Sequence, residues 1–73
     1  MANKRAIKKQ SEDLTPREIE VLTLYVQLKK IQIADKLFIT YETVKTHIRN
    51  CVIKLKAKQP RHAIYIAKER GLI

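Results

Sequence analysis

The chain's only glycine is residue 71, and its two prolines are residues 16 and 60. All three stand where a helix begins or ends. Pro16 follows Thr15, a good N-cap, and fits the first helical position, where the missing N–H is no loss. Pro60 fits the same place in a later helix, and Gly71 fits a left-handed stop. With 45% hydrophobic residues and no tryptophan, this punctuation suits a compact helical domain better than a sheet or a disordered tail. Seventy-three residues make one small domain, near the lower size at which a single core sustains itself.

Residues 1–13 are polar and basic, carrying Lys4, Arg5, Lys8 and Lys9. They read as a flexible arm, either solvated without a task or touching phosphates. A domain over residues 14–73 follows. Glu18, three residues after Thr15, completes a capping box, with Leu14 and Ile19 placed as a hydrophobic staple. The first helix is predicted from Pro16 to Leu28, with Val21, Leu22 and Tyr25 inward and Arg17, Glu20 and Gln27 wet. A short second helix covers Lys30 to Leu37, with Ile33, Ala34 and Leu37 on one face. Phe38 and Ile39 then serve as a turn with apolar anchors. Thr40 caps a third helix from Tyr41 to Ala57, and the fourth starts at Pro60. The expected fold is an all-α bundle of four helices.

The third helix divides sharply. At about 100° per residue, Val44, Ile48, Cys51 and Leu55 form a core stripe. Glu42, Lys45, Thr46, Arg49 and Ile53 fall opposite. From Thr43 through Arg61 there are six Lys or Arg and no acid. A helix adapted only for solubility more often pairs Glu with Lys four residues on. A one-signed surface suits a polyphosphate, because each neutralised phosphate releases condensed counterions. The net charge of +9 points the same way: nucleic acid first, an acidic membrane surface second. Lys and Arg also donate to guanine O6 and N7 in the major groove. The short preceding helix, with Ala34 permitting close approach, braces a protruding reading helix.

Other functions find little material. The lone Cys51, on the core stripe, reads as a buried small hydrophobe rather than a redox sensor. Two histidines and one cysteine give no zinc spacing. No nucleophile–base set, paired carboxylates or Gly-rich phosphate loop can be assembled, so neither an enzyme nor a cofactor is expected. No apolar stretch approaches the roughly 18 residues of a membrane span. No signal-peptide pattern opens the chain, so the expected compartment is the cytoplasm, at the nucleoid.

The strings LTPREIEVLTL, IADKLFIT, ETVKTHIRN, Lys54-Leu55 and AIYIAKERGLI together resemble the LuxR/GerE-type helix-turn-helix domain, also known as FixJ- or NarL-type. The resemblance covers residues 14–73. It implies a four-helix DNA-binding domain of a bacterial or phage transcription regulator, with the third helix in the major groove. Transferred position by position, it implies base contacts from Lys45, Thr46 and Arg49. Phosphate contacts fall to Thr40, Thr43, His47, Lys29, Lys30 and Arg61, with His47 equally readable as a core-edge histidine. Most such domains are attached to a receiver or sensing domain; this length suggests the free-standing, GerE-like kind. The chain departs from the family at VQLKKIQIA, one residue short and lacking the usual glycine after the first helix. Pro60 stands where the family has Arg, with Arg61 one place on.

On the fourth helix, Ala63, Ile64 and Ala67 can face inward, leaving His62, Tyr65, Ile66 and Glu69 as a second stripe. That stripe suggests a homodimer interface, which would set two reading helices about one DNA turn, roughly 34 Å, apart. The expected target is double-stranded DNA bearing a short inverted repeat. The alternative is a small protein-interaction antagonist that pairs with a larger transcription regulator and sequesters it.

Overall fold

The computed structural model describes residues 13–73, so the expected basic arm lies, apart from Asp13, outside the described residues. The elements are α1 (Pro16–Tyr25), α2 (Lys30–Leu37), α3 (Tyr41–Lys54) and α4 (Pro60–Glu69), with no strand among the described residues. Helix α3 packs against each of the other three. Its stripe of Val44, Ile48, Cys51 and Leu55 is buried as the periodicity requires. The stripe divides between two clusters. Val44 and Ile48 join Val21, Ile33 and Ala34 between α1, α2 and α3. Cys51 and Leu55 join Leu14, Leu22, Ala63 and Ala67 between α1, α3 and α4. Each fully buried aliphatic side chain contributes about 1.5–3 kcal/mol, so a domain this small depends on nearly all of them.

The start of α1 does more than begin a helix. Thr15 Oγ1 accepts from the Glu18 N–H at 3.1 Å, and Glu18 Oε1 accepts from the Thr15 N–H at 2.9 Å, the reciprocal pattern of a capping box. Glu18 is itself buried, at 4% exposure. Its Oε1 also accepts from Lys54 Nζ, 2.8 Å away on α3. Burial alone would push the Glu18 pKa up. The Lys54 hydrogen bond and charge, the Thr15 N–H and Asn50 outweigh it, and the net shift is downward. The thiol of Cys51 reaches the Glu18 carbonyl at 3.6 Å. One residue thus fastens α1 to α3 through both its side chain and its backbone.

Helix α1 ends three residues before the expected Leu28. After Tyr25 the bonds tighten, with Val26 N–H turning to Thr23 O at 3.3 Å and Gln27 N–H to Leu24 O at 3.1 Å. Leu28 still packs on the core, which is why the apolar rhythm continues past the helix end. Val26 stays in the right-handed region, at φ −61°. Among the described residues only Phe38, Lys56 and Gly71 have positive φ, so the α1–α2 turn has no need of the family's glycine. The Lys29 N–H then donates to Gln32 Oε1 at 2.8 Å, giving α2 half a capping box.

Helix α3 ends at Lys54 rather than Ala57. Lys56 turns left-handed, at φ 56°, and the Ala57 N–H reaches back to Val52 O at 2.9 Å. A lysine in that role gives no signal to a reader looking for glycine. Phe38 is a second correction. Instead of anchoring the turn, it stands 93% exposed in the left-handed region, φ 58°, as the C-cap of α2. Ile39 alone of the pair packs inward. At the far end Gly71 is left-handed as expected, at φ 73°, and Leu72 folds back on the core.

Two substitutions test these features. Phe38 has left-handed strain without compensating burial, so Phe38→Gly should stabilise the fold by about 1 kcal/mol, read as a higher urea midpoint. Lys54→Met leaves the buried Glu18 carboxylate without its ammonium and should destabilise by about 2 kcal/mol at neutral pH. Because the folded-state Glu18 pKa lies below the ordinary 4.5, its contribution is present above that value. It is lost as pH falls through the folded pKa. Urea midpoints of wild type and Lys54→Met should therefore converge below about pH 4.5.

Candidate nucleic-acid interface

Thr40 opens α3 in extended backbone and accepts from the Thr43 N–H at 3.0 Å, with the two hydroxyls 2.8 Å apart. This cap fixes where the outer flank begins. Glu42, in the first turn, suits the positive end of the helix. Lys45 Nζ lies 3.5 Å from Glu42 Oε2 and 5.4 Å from the centre of the Tyr41 ring. The Lys45 side chain keeps 38% exposure and that of Glu42 79%, so this is a solvent-facing pair and not an internal lock. Thr46 and Arg49 are exposed, and Arg49 enters no ion pair among the described residues. The flank carrying Lys45, Thr46 and Arg49 is not covered by another helix.

Beside that flank runs a depression lined by Lys30, Lys45, Arg49 and Lys58, with Ile48, Val52, Gln59 and Pro60 between them. Four cations from the start of α2, the middle of α3 and the α3–α4 turn converge there without an acid. A second groove, lined by Lys29, Lys30, Arg61, Tyr25, Val26, Leu28, Ile31, Tyr41 and Ile64, adjoins it through Lys30. The fold therefore gathers Lys29, Lys30, Lys45, Arg49 and Arg61 along one side. Lys30 is held partly by Tyr25, its Nζ 5.9 Å from the ring centre.

The remaining candidates are placed differently. Thr40 and Thr43 satisfy each other at the helix start, as above. His47 is half-buried, and its Nδ1 is buried with no hydrogen-bond partner among the described residues. On α4, Tyr65 is 60% exposed and its ring stacks on His62 at 6.5 Å. His62 Nδ1 accepts from the Lys58 N–H at 3.1 Å, so this histidine also steadies the start of α4. Glu69 is exposed. Ile66 is the exception in the expected second stripe: it packs partly against the core with Ile64, Leu72 and Ile73. The outward face of α4 is thus narrower than its periodicity suggests.

Three features were not singled out by sequence reasoning. Lys58 joins the cationic depression because the α3–α4 turn folds back over α3, which only tertiary structure reveals. Tyr41 supports the Lys45 ammonium, a contact foreshadowed by their four-residue spacing. Lys54 counts among the six cations on sequence, yet it turns inward to Glu18 and leaves the surface set. Burial pushes the Cys51 thiol up to about 11, in keeping with a packed rather than a reactive cysteine. Among the described residues no group of three or more His, Cys, Asp or Glu is arranged to hold a metal ion. Nor is any described helix long and apolar enough to cross a membrane.

Comparison with known proteins places the chain in a family. Residues 12–67 match the family described as "Bacterial regulatory proteins, luxR family" (GerE). Over 63 residues the chain is 41% identical to the transcriptional regulatory protein LiaR of Bacillus subtilis, covering 85% of this chain and 30% of that protein. It is 48% identical over 61 residues to LnrK of the same organism, covering 82% of this chain and 28% of the relative. With the nitrate/nitrite response regulator protein NarL of Escherichia coli K12 the identity is 37% over 71 residues, covering 94% of this chain and 33% of the relative. The chain therefore spans about a third of the length of these relatives. With four helices, an exposed basic flank on the third and a family match over residues 12–67, the chain belongs to the luxR family of bacterial regulatory proteins, as a DNA-binding helix-turn-helix domain.

Proposed function

We propose that this domain regulates transcription by reading double-stranded DNA with α3 in the major groove. Lys45, Thr46 and Arg49 meet base edges. Thr40, Thr43, His47, Lys29, Lys30 and Arg61 meet phosphates, and Lys58 joins them. The observation that carries the reading is the open, mostly cationic flank of α3, with further cations gathered beside it and the opposite flank buried. Phosphate contacts set the register of such a complex, while base-edge contacts give its selectivity. The relatives' names as transcriptional regulators support the regulatory half of the proposal.

In this reading the domain works as a homodimer through the outward side of α4, centred on Tyr65 and Glu69 with His62 beside them. Two copies related by a two-fold axis would present two α3 helices to a short inverted repeat. The exposed Ile31 and Val26, at 60% and 40%, favour a second reading, in which the domain docks on a larger regulator and sequesters it. A salt series separates the two. DNA reading gives a log–log slope of about −0.9 per phosphate neutralised, whereas sequestration gives weak DNA binding and tight protein binding.

Two sets of variants test the first reading. Arg49→Ala should weaken binding to a selected duplex by about 1–3 kcal/mol while changing random-duplex binding much less. Lys58→Ala should weaken both duplexes alike and reduce the salt slope by about 1. Equal losses on both duplexes for Arg49→Ala would rule out base reading there. Tyr65→Asp should shift sedimentation toward the monomer with an unchanged circular dichroism spectrum. Unaltered sedimentation would remove α4 from the interface.

A further inference from the structure

Glu42 is the only acid between Asp35 and Glu69, and it stands in the first turn of the helix that carries the cationic flank. A carboxylate at the tip of a DNA-reading helix is repelled by every phosphate it approaches. Its position at the positive end of the helix accounts for its presence in the free domain, and its ion pair with Lys45 for its direction; neither gives it a partner on the duplex. The side chain is 79% exposed and reaches toward Lys45, with Oε2 3.5 Å from Nζ. Lys45 is in turn held above Tyr41. A carboxylate and an ammonium are thus presented side by side, both near the end of α3 that reaches base edges first.

We propose that Glu42 is a specificity-determining residue that accepts a hydrogen bond from the N4 amino group of cytosine, beside the base read by Lys45. The proposal rests on the DNA-reading function above. The chemistry is selective because an ionised carboxylate can only accept. In the major groove the amino donors are cytosine N4 and adenine N6. Adenine places its N7 acceptor next to N6, where a carboxylate meets a lone pair; cytosine has no such neighbour. Lys45, a donor only, suits the O6 and N7 acceptors of guanine. The adjacent acid and base on α3 therefore match adjacent donor and acceptor edges on the duplex. Where no cytosine is present, Glu42 enters the groove unpaired and faces the phosphates, so the same residue penalises incorrect sites.

The test is selection of bound duplexes from a random pool, using the whole chain as wild type, Glu42→Ala and Glu42→Gln. Circular dichroism melts establish that each variant is folded. The expected wild-type motif contains cytosine at one position of each half-site. Glu42→Ala should lower the preference for cytosine there roughly tenfold and leave the other positions as they were. Glu42→Gln should move the preference toward adenine, whose N6 and N7 suit an amide. If both variants return the wild-type motif unchanged, or if all positions weaken together, Glu42 is a helix-end acid and the proposal is overturned. If the wild type itself returns no motif, the DNA-reading function fails first and the proposal with it.

Discussion

The architecture depends on holding one helix by a single side. Helix α3 has to be attached firmly enough to protrude, yet its contacts must come chiefly from the side that carries Val44, Ile48, Cys51 and Leu55, or the outer flank is lost. Three helices supply those contacts, and two core clusters share the stripe end to end. The Glu18–Lys54 pair completes the attachment. It draws the cation at the end of α3 inward, to a carboxylate already used to cap α1. A buried ion pair of this kind is a poor source of net stability, because desolvation offsets most of its attraction. Its effect here is geometric, fixing the end of α3 against the start of α1.

Much of this was legible in the residues because local signals agreed with the fold. Thr15, Pro16 and Glu18 declare a helix start whatever surrounds them, and Thr40 does the same for α3. The 3.6-residue rhythm located all three buried positions of α3, and Leu55 at its C-cap. What escaped has a common physical cause: the information lay in tertiary contacts or in unusual residues performing familiar backbone roles. Lys56 and Phe38 adopt left-handed conformations usually left to glycine, so the end of α3 and the exposure of Phe38 gave no signal. Leu28 kept the apolar rhythm beyond the end of α1. Glu18 looked complete as a capping residue, and nothing local pointed to Lys54. At the candidate interface, the placement of Lys45, Thr46 and Arg49 on an open flank followed from periodicity. The convergence of Lys30 and Lys58 on that flank required the packing of α2 and the α3–α4 turn.

Collecting like charges has its own consequence for the folded state. Lys30, Lys45, Arg49 and Lys58 line one depression, and like charges gathered in this way repel one another, with screening over about 8 Å at physiological salt. Their mutual repulsion opposes compaction of that side. Tyr25 and Tyr41 lessen it locally by offering ring faces to Lys30 and Lys45. A polyanion lying across the depression would relieve the remainder, and any ligand that binds only the folded form adds to its stability by mass action. The uncomplexed domain is thus less stable than its packing alone would make it.

Cys51 offers a practical consequence. Its sulfur is fully enclosed at the junction of α1, α3 and α4, and its proton is held to about pH 11. An alkylating reagent at neutral pH meets neither an accessible atom nor a thiolate. Modification of this single native thiol therefore requires α3 to separate from α1 and α4. Mass spectrometry of the modified fraction over time would count those separations directly, with no label introduced and the basic surface left untouched.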